Sequence, residues 1–416
     1  MVELPASQPA RGPNLWLRVV LPFSVGYFLS YLYRTVNAVL APQLTAAVGL
    51  SAADLGLLTS VYFLSFGLVQ LPLGILLDRF GARRVESGLL LAAAAGAWLF
   101  AAGASREELI LGRVLIGFGV SACLMASFKA FSQWFPIGRW PALNGVVMAS
   151  GGLGALVSTV PVEAALRFTS WRGVFAGLAV ATVAVAGALY LVVPERKTAS
   201  ASQSLREQWQ GVAAIFRSRP FWTLAPLMMM SQSCFIAILG LWAGPWLRDV
   251  AGLSGTRLAL HLLTGAAAMV IGHLLLGNFA TRLSHRGLSY APVVGVGSVA
   301  FMLAQIGMAA GWGAGAGLLL FVFGFFGTCG TLIYPLLAQE FPPEMAGRSN
   351  TALNQMFFLG AFVAQWAIGG IIDLWPQGPA GCPEAAYRWA FGLPLILQAA
   401  ALGWFVWRWR STTAPE

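Results

Sequence analysis

Apolar runs longer than about 18 residues recur from one end of this sequence to the other. Each is long enough to cross the hydrocarbon core of a bilayer as a helix. Inside a bilayer every backbone polar group must bond within the protein, so runs of this kind leave very few folds open. Barrel strands would alternate apolar and polar residues, whereas these runs are continuous, and helices follow. Only 10% of residues are charged, against about 25% in a soluble domain, and mean hydropathy is +0.74. Charge that sparse coats no soluble enzyme. It equally excludes a disordered tail protein and a secreted disulfide scaffold.

Read between polar punctuation, the runs give twelve spans. They lie near 16–41, 55–77, 84–104, 108–131, 142–165 and 172–193, then 221–247, 256–280, 289–310, 314–338, 350–374 and 387–409. The predicted fold is an all-α polytopic membrane protein with twelve transmembrane helices in two six-helix bundles related by pseudo-two-fold symmetry. One long hydrophilic stretch divides the chain into a bundle at 1–193, a linker at 194–220 and a bundle at 221–416. Within the linker, 204–216 has the pattern of an amphipathic interfacial helix. The first apolar stretch is too long for a signal-peptide core and no small-residue cleavage site follows, which predicts an uncleaved first span.

The net charge of +10 reads as topology rather than nucleic-acid binding. Arg34 and Arg113 fall within spans, and Arg106, Arg167, Arg172, Arg248, Arg257 and Arg388 fall in the loops of one face. All other basic residues lie on the opposite face with the linker, so that face is expected to be cytoplasmic, with both termini. The halves also repeat. Gly74 to Gly277, each after the second span of its half, and Phe135 to Phe341, each before the fifth, are separated by almost the same number of residues. Parallel duplication of this kind builds two bundles around a midplane site in many secondary transporters. Cys123, Cys234 and Cys329 lie in apolar runs and Cys382 in a polar turn, with no metal-ligand spacing, so neither a disulfide framework nor a zinc site is expected. No metal or other cofactor is predicted.

Gly74-x-x-x-Asp78-Arg79-x-Gly81-x-Arg83-Arg84 lies between the second and third spans. It resembles the hallmark loop of the major facilitator superfamily and sits where that family has it. Arg113-x-x-x-Gly117-x-Gly119 in the fourth span resembles a second motif of the superfamily. The resemblance covers nearly the whole chain. It implies a secondary transporter in which Gly74, Asp78, Arg79, Gly81 and Arg113 serve gating or coupling. In the second half Thr281 stands where the first has Asp78, which weakens any charge latch there. The fifth span, Gly145 to Gly154, is close to the glycine-rich signature of nitrate porters but carries Leu153 in place of their asparagine, and it lacks the Gly-Pro core of drug antiporters.

Intramembrane charge costs roughly 2.5–3.5 kcal/mol per ionised residue at the bilayer centre, so each case needs a reason. Arg34 lies in the middle of the first span. Tyr27, Ser30 and Asn37 share its helix face and Tyr31 falls beside it. A polar stripe with one permanent cation suits an anion, because a guanidinium offers paired donors to carboxylate or phosphate. Similar arginines of the superfamily's organophosphate and organic-anion porters contact substrate. The other reading is an arginine held by carbonyls or by another span. Gln232 in the seventh span, Asn350, Asn354 and Gln365 in the eleventh and Tyr334 and Gln339 in the tenth are further expected cavity residues, with helix-to-helix hydrogen bonding as the equal alternative for each. His273 is read either as a proton carrier or as a hydrogen-bonded packing residue. Arg113 and Lys129 are open to snorkelling, and Trp246 fits an outer aromatic belt. The acids are read as lying in loops or near span ends, with only Glu163 and Asp373 taken to fall inside the spans, both near the outer surface, and Glu163 placed to pair with Arg167. No deep aspartate or glutamate is expected.

A secondary transporter of a small organic anion follows, coupled to protons or to an exchanged anion, since no ATP-binding loop is present. Efflux of amphipathic compounds is the alternative within transport; a membrane-embedded sensor or enzyme is the alternative outside it. No nucleophile–base set supports an enzyme. The expected partners are a small anionic molecule and the lipid bilayer, with no nucleic acid, for a monomer. Arginine greatly outnumbers lysine and glycine is abundant, which suggests a GC-rich bacterial genome and an inner membrane.

Overall fold

The computed structural model describes residues 15–136, 139–195, 205–286, 288–376, 378 and 381–413. The side chains of Asp78 and Thr281 lie outside the described residues. The first span is jointed: a π-turn at Trp16–Val20, α1 (Leu21–Thr35) and α2 (Asn37–Val48) meet end to end around Val36. The rest of the first half comprises α3 (Ala52–Phe80), α4 (Ala82–Ala102), α5 (Arg106–Val120), α6 (Cys123–Trp134), α7 (Trp140–Val157), α8 (Val160–Ala165) and α9 (Trp171–Val192). The linker holds α10 (Leu205–Phe216), where an amphipathic helix was expected. The second half runs through α11 (Arg219–Ala237), α12 (Ala243–Asp249), α13 (Gly255–His285), α14 (Ala291–Ala309), α15 (Ala316–Gly327), α16 (Ile333–Gln339), α17 (Pro343–Ile372) and α18 (Glu384–Thr413). Eleven helices among the described residues are long and apolar enough to cross a membrane, and the jointed first span packs with them as the twelfth. The fold is the all-α, two-bundle arrangement read from the sequence.

Local chemistry sets the ends. Ser51 and Asp54 form a capping box at the start of α3, and Ser105 and Glu108 form another at the start of α5. Between α3 and α4 the chain reverses at Gly81 with φ +79°, a conformation that favours glycine. The leading spans of each triplet are broken. The first, fourth, seventh and tenth spans are each interrupted, at Val36, at Ser121–Ala122, by the π-turn Ile238–Trp242 and by the 3-10 turn Thr328–Leu332, and the fifth is broken as well, at Ser158–Thr159. Each half is therefore two triplets whose leading helix is broken, the internal repetition expected of such transporters.

The halves meet along α3 and α17, which run antiparallel. At their outer ends, away from the arginine-rich face, the contact is backbone against backbone. A Cβ added at Gly369 would strike Ala52 O, one at Gly244 would strike Ala38 O, and one at Gly56 would come within 2.9 Å of Gln365 O. Both carboxylate oxygens of Asp373 accept hydrogen bonds from the first amides of α3, Ala52 N and Ala53 N, each at 2.8 Å. These amides have no partner within their own helix, and the helix dipole favours an anion there. Arg167 Nη2 donates to Thr256 Oγ1 at 2.7 Å, a second outer contact between halves.

Toward the arginine-rich face the two helices part. Gly67 and Gly74 lie on the same face of α3. A Cβ at Gly67 would sit 3.1 Å from Phe358 Cβ, yet one at Gly74 would meet nothing within 4 Å. The buried apolar side chains divide the same way. One cluster runs through the first half and the outer part of the second; the other is confined to the inner end of the second half, around Phe221, Leu224, Val294, Ile333 and Leu353. The outer side is sealed by shared core and the inner ends are cored separately. Trp246 belongs to that seal. It was expected in a lipid-facing belt but is fully buried, with Nε1 donating to Met308 O at 3.0 Å, because the close approach at Gly244 draws α12 inward.

Candidate functional site

Arg34 is buried, with 5% of its surface exposed, at the last turn of α1 before the Val36 joint. Three rings surround its guanidinium: Tyr31 at 4.5 Å, Phe358 of α17 at 5.2 Å and Phe66 of α3 at 5.4 Å. The Tyr62 hydroxyl lies beside it and donates to Ser30 O at 3.1 Å. Cation–π contacts are worth about 0.5–2 kcal/mol each and soften the cost of burial. They supply no acceptor. Nε has no protein partner, and no described carboxylate pairs with the guanidinium. The alternative of an arginine satisfied by carbonyls or by an acid on another span is not what the described contacts give.

Around this cation the predicted residues separate into two groups. Tyr27 and Tyr31 pack edge to face at 5.2 Å, and Gly151 of α7 admits both rings. Asn354 donates to Gln70 Oε1 at 3.3 Å and accepts from the Tyr334 hydroxyl at 2.8 Å, so it ties α17 to α3 and α16 across the seam. Ser30 is buried with an unpartnered Oγ. Asn37 and Gln232 are occupied elsewhere. Asn37 Nδ2 donates to Thr59 Oγ1 at 3.1 Å, and Gln232 Nε2 donates to Gly327 O at 2.6 Å, closing the gap left by the broken tenth span. On the outer side, a cavity of about 20 Å³ remains between Tyr31, Thr35, Ser158, Gly240 and Met269, room for about one water. Sequence reasoning missed Phe66, Phe358, Tyr62 and Gln70. All four lie on α3 or α17, but aromatic residues at helical spacing in a span carry no mark that separates a cage from core.

The gating candidates lie elsewhere. Gly74 is exposed, Gly81 makes the turn, and Arg79 stacks on Phe80 at 5.3 Å. Asp78 lies outside the described side chains. A cavity of about 630 Å³ opens at this face, lined by Phe23, Arg79, Arg83, Arg84, Trp134 and Glu195 among others. Arg83 donates to Val193 O at 3.0 Å, and Glu195 pairs with Arg84. Arg113 does not snorkel. It is 1% exposed, donates to Tyr33 O at 2.9 Å and stacks on Phe100 and Phe175, because Gly112 and Gly117 let α5 press against α4 and α3. His273 Nδ1 contacts the carbonyl of Met269 on its own helix at 2.9 Å. Glu163 and Arg167 pair at 3.6 Å, as expected.

One expectation is overturned. Glu86 of α4 is completely buried, and neither carboxylate oxygen has a hydrogen-bond partner. Hydropathy puts it at the edge of the third span, two residues after Arg84, where an acid is normally solvated. Gly26 of α1 changes that: the space a Cβ would fill there is occupied by Glu86 Oε1. Its position inside 84–104 was the available signal.

Twelve helical spans, a seam between two bundles and one buried cation at that seam define a polytopic membrane transporter. The chain belongs to the major facilitator superfamily, which it matches over residues 23–365. It is 27% identical over 270 residues, 58% of this chain and 57% of the relative, to the "Probable L-galactonate transporter" of Escherichia coli. It is 22% identical over 396 residues, 91% of this chain and 89% of the relative, to the "Probable sulfoacetate transporter" of Cupriavidus necator. The alignment thus spans just over half of the first relative and most of the second. Among solved structures, it is similar to a bacterial homolog of the human lysosomal transporter Spinster in an inward-facing and occupied conformation, with a TM-score of 0.77, 17% identity and coverage of 96% and 98% of the two chains. Membership places the chain among transporters, not enzymes.

Proposed function

We propose that this protein is a secondary active transporter that carries a small organic anion by alternating access, with Arg34 as the residue that receives the anion. Residues 1–193 and 221–416 are the two moving bodies, joined by 194–220, in an inner membrane with both termini cytoplasmic and a monomer as the working unit. The observation that carries the reading is a permanent cation, buried between aromatic rings at the seam, without a described carboxylate to balance it. An anion supplies the missing charge and the acceptors that the rings lack. The names of the two relatives support the class, since L-galactonate carries a carboxylate and sulfoacetate a carboxylate and a sulfonate. Tyr31, Tyr62, Tyr334 and Asn354 surround the same point and offer hydroxyl and amide groups to the rest of a polar solute.

The test is uptake of labelled sugar acids and sulfonates into proteoliposomes. Arg34→Lys keeps the charge but loses the paired geometry, so binding weakens by roughly 1.5–3 kcal/mol. Arg34→Gln abolishes uptake while the protein still reaches the membrane. Normal transport of an anionic substrate by Arg34→Gln would overturn the assignment.

A further inference from the structure

Glu86 is fully buried with neither carboxylate oxygen hydrogen-bonded, unlike the buried Asp249 carboxylate, which Arg248, Tyr387 and the Cys382 amide hold, and the anion reading does not use it. Its setting can be followed along one side of α1, where Gly26, Ser30 and Arg34 recur every fourth residue and share a face. Glu86 Oε1 fills the space in front of Gly26, and Cys123 Sγ of α6 lies 4.0 Å from the same point. A thiol is a weak donor, and the described contacts include no hydrogen bond from it to the carboxyl. The other charged groups nearby are turned away or engaged. Arg83, one turn earlier on α4, faces Val193 O, the Tyr190 ring of α9 and Glu195. Lys129, six residues past Cys123 on α6, has a partner of its own. Arg113 of α5 is engaged by Tyr33 O, Phe100 and Phe175. From α3, the Asp78 side chain lies outside the description. No described cation reaches Glu86, and an ionised carboxylate buried in this way carries an uncompensated desolvation cost of several kcal/mol. The site accommodates the neutral acid.

On one side of Glu86 lies a way out. The arginine-rich cavity of about 630 Å³ is lined by Phe23 and Ala82, which stand one turn before Gly26 and Glu86 on their helices. On the other side lies the candidate anion site. Ser30, one turn beyond Gly26, has an unpartnered Oγ and accepts from Tyr62 at its carbonyl, and Arg34 follows with an unpartnered Nε. Eight residues of helix separate Gly26 from Arg34, about 12 Å.

We propose that Glu86 is a proton-binding site that couples proton movement to anion movement: the anion occupies Arg34 when Glu86 is protonated, and the proton is exchanged with the cytoplasm through the cavity lined by Arg79, Arg83 and Arg84. The step is a simple one. A hydronium ion in the cavity gives its proton to a carboxylate oxygen: one hydronium O–H bond breaks, the carboxyl O–H bond forms and water is left, and the reverse occurs when the proton returns. Ionised Glu86 repels an anion about 12 Å away, on the order of tenfold in affinity at an effective dielectric constant near 20. It also demands hydration where α1 and α4 now touch, which displaces the helix that carries Arg34. Proton and anion therefore bind together, as in symport. The coupling rests on the anion reading, but the proton site itself does not.

Two measurements on the full-length protein in lipid nanodiscs separate these. The first needs no substrate. Infrared spectra between about pH 5 and pH 9 show a protonated-carboxyl C=O band that disappears at the alkaline end, is absent in Glu86→Gln and is shifted in Cys123→Ser, where a hydroxyl bonds the acid more strongly. A band unchanged in both variants overturns the proton site. The second measures binding of L-galactonate and sulfoacetate. Wild-type affinity falls about tenfold across that range, whereas Glu86→Gln binds with the same affinity throughout. A parallel fall in Glu86→Gln overturns the coupling. If neither probe's binding depends on Arg34, the anion reading fails and the coupling with it, while the infrared band still decides the proton site.

Discussion

The two halves share a helix plan and divide the chemistry unequally. The first buries three charged side chains, Arg34, Glu86 and Arg113. The second, among its described residues, buries the Asp249 carboxylate, which Arg248, Tyr387 and the Cys382 amide hold near the outer loops, and otherwise encloses the neutral Gln232, Gln305, Gln365 and Gln398. Of these, Gln305 and Gln398 bond each other at 3.0 Å, and Gln305 and Gln232 also donate to carbonyls of neighbouring helices, Phe391 O and Gly327 O. Neutral amides in that role tie helices together. On the proposed reading the pattern is a division of labour: the first half presents charge to the solute, and the second supplies a wall of Phe358, Tyr334 and Asn354 against which it closes.

The largest expected effect tests that division directly. Gln232→Leu leaves Gly327 O without its donor and costs about 1–3 kcal/mol of stability, visible as a lower unfolding temperature, yet uptake persists. Arg34→Gln does the reverse. If Gln232→Leu abolishes uptake in protein that remains folded, the halves are chemically equivalent and the comparison fails. A smaller effect is expected at the outer seam, where the second half contributes the Asp373 carboxylate to the first. Asp373→Asn retains an acceptor but loses a charge-assisted bond to the start of α3, about 1 kcal/mol. The seam then opens more often, and a cysteine placed at Ser158 reacts faster with an impermeant thiol reagent added from outside. No change in rate would mean that the glycine contacts alone hold the seam.

The smallest effect concerns Cys382. From sequence it reads as an exposed thiol in a polar turn; in the structure it is 8% exposed and its amide donates to Asp249. Burial, with the Asp249 carboxylate beside it, pushes the thiol up to about 11. Alkylation is therefore slow at neutral pH and rises about tenfold per pH unit until that value is reached. A cysteine at the exposed Ser254 labels quickly by comparison. Fast labelling of Cys382 at pH 7 would show that this loop opens away from the second half.

The fold was legible because bilayer physics acts on long windows: twelve apolar runs, one hydrophilic linker and a one-sided distribution of arginine fix the architecture with little help from tertiary detail. Arg34 was legible for a related reason, since a charge at that depth is costly enough to need a partner. Glu86 was not, because its burial depends on the absence of a side chain at Gly26, on another helix. Phe66 and Phe358 were hidden for the converse reason, as their composition matches any packed span. Gln232 and Asn354 looked alike as polar residues in the second half, and only the break in the tenth span sends one to a carbonyl and the other to the seam.

The interrupted leading helices have a mechanical consequence. A straight rod thirty residues long passes any movement at one end to the other, whereas a rod with a joint near its middle can turn one segment and leave the other seated. Val36 and the matching breaks in the fourth, seventh and tenth spans place four such joints within the leading spans. The segment that carries Arg34 can therefore swing with the inner ends while α2 stays wedged beneath Gly244. A solute trapped at the joint would feel its surroundings change one segment at a time, which divides a single high barrier into several low ones.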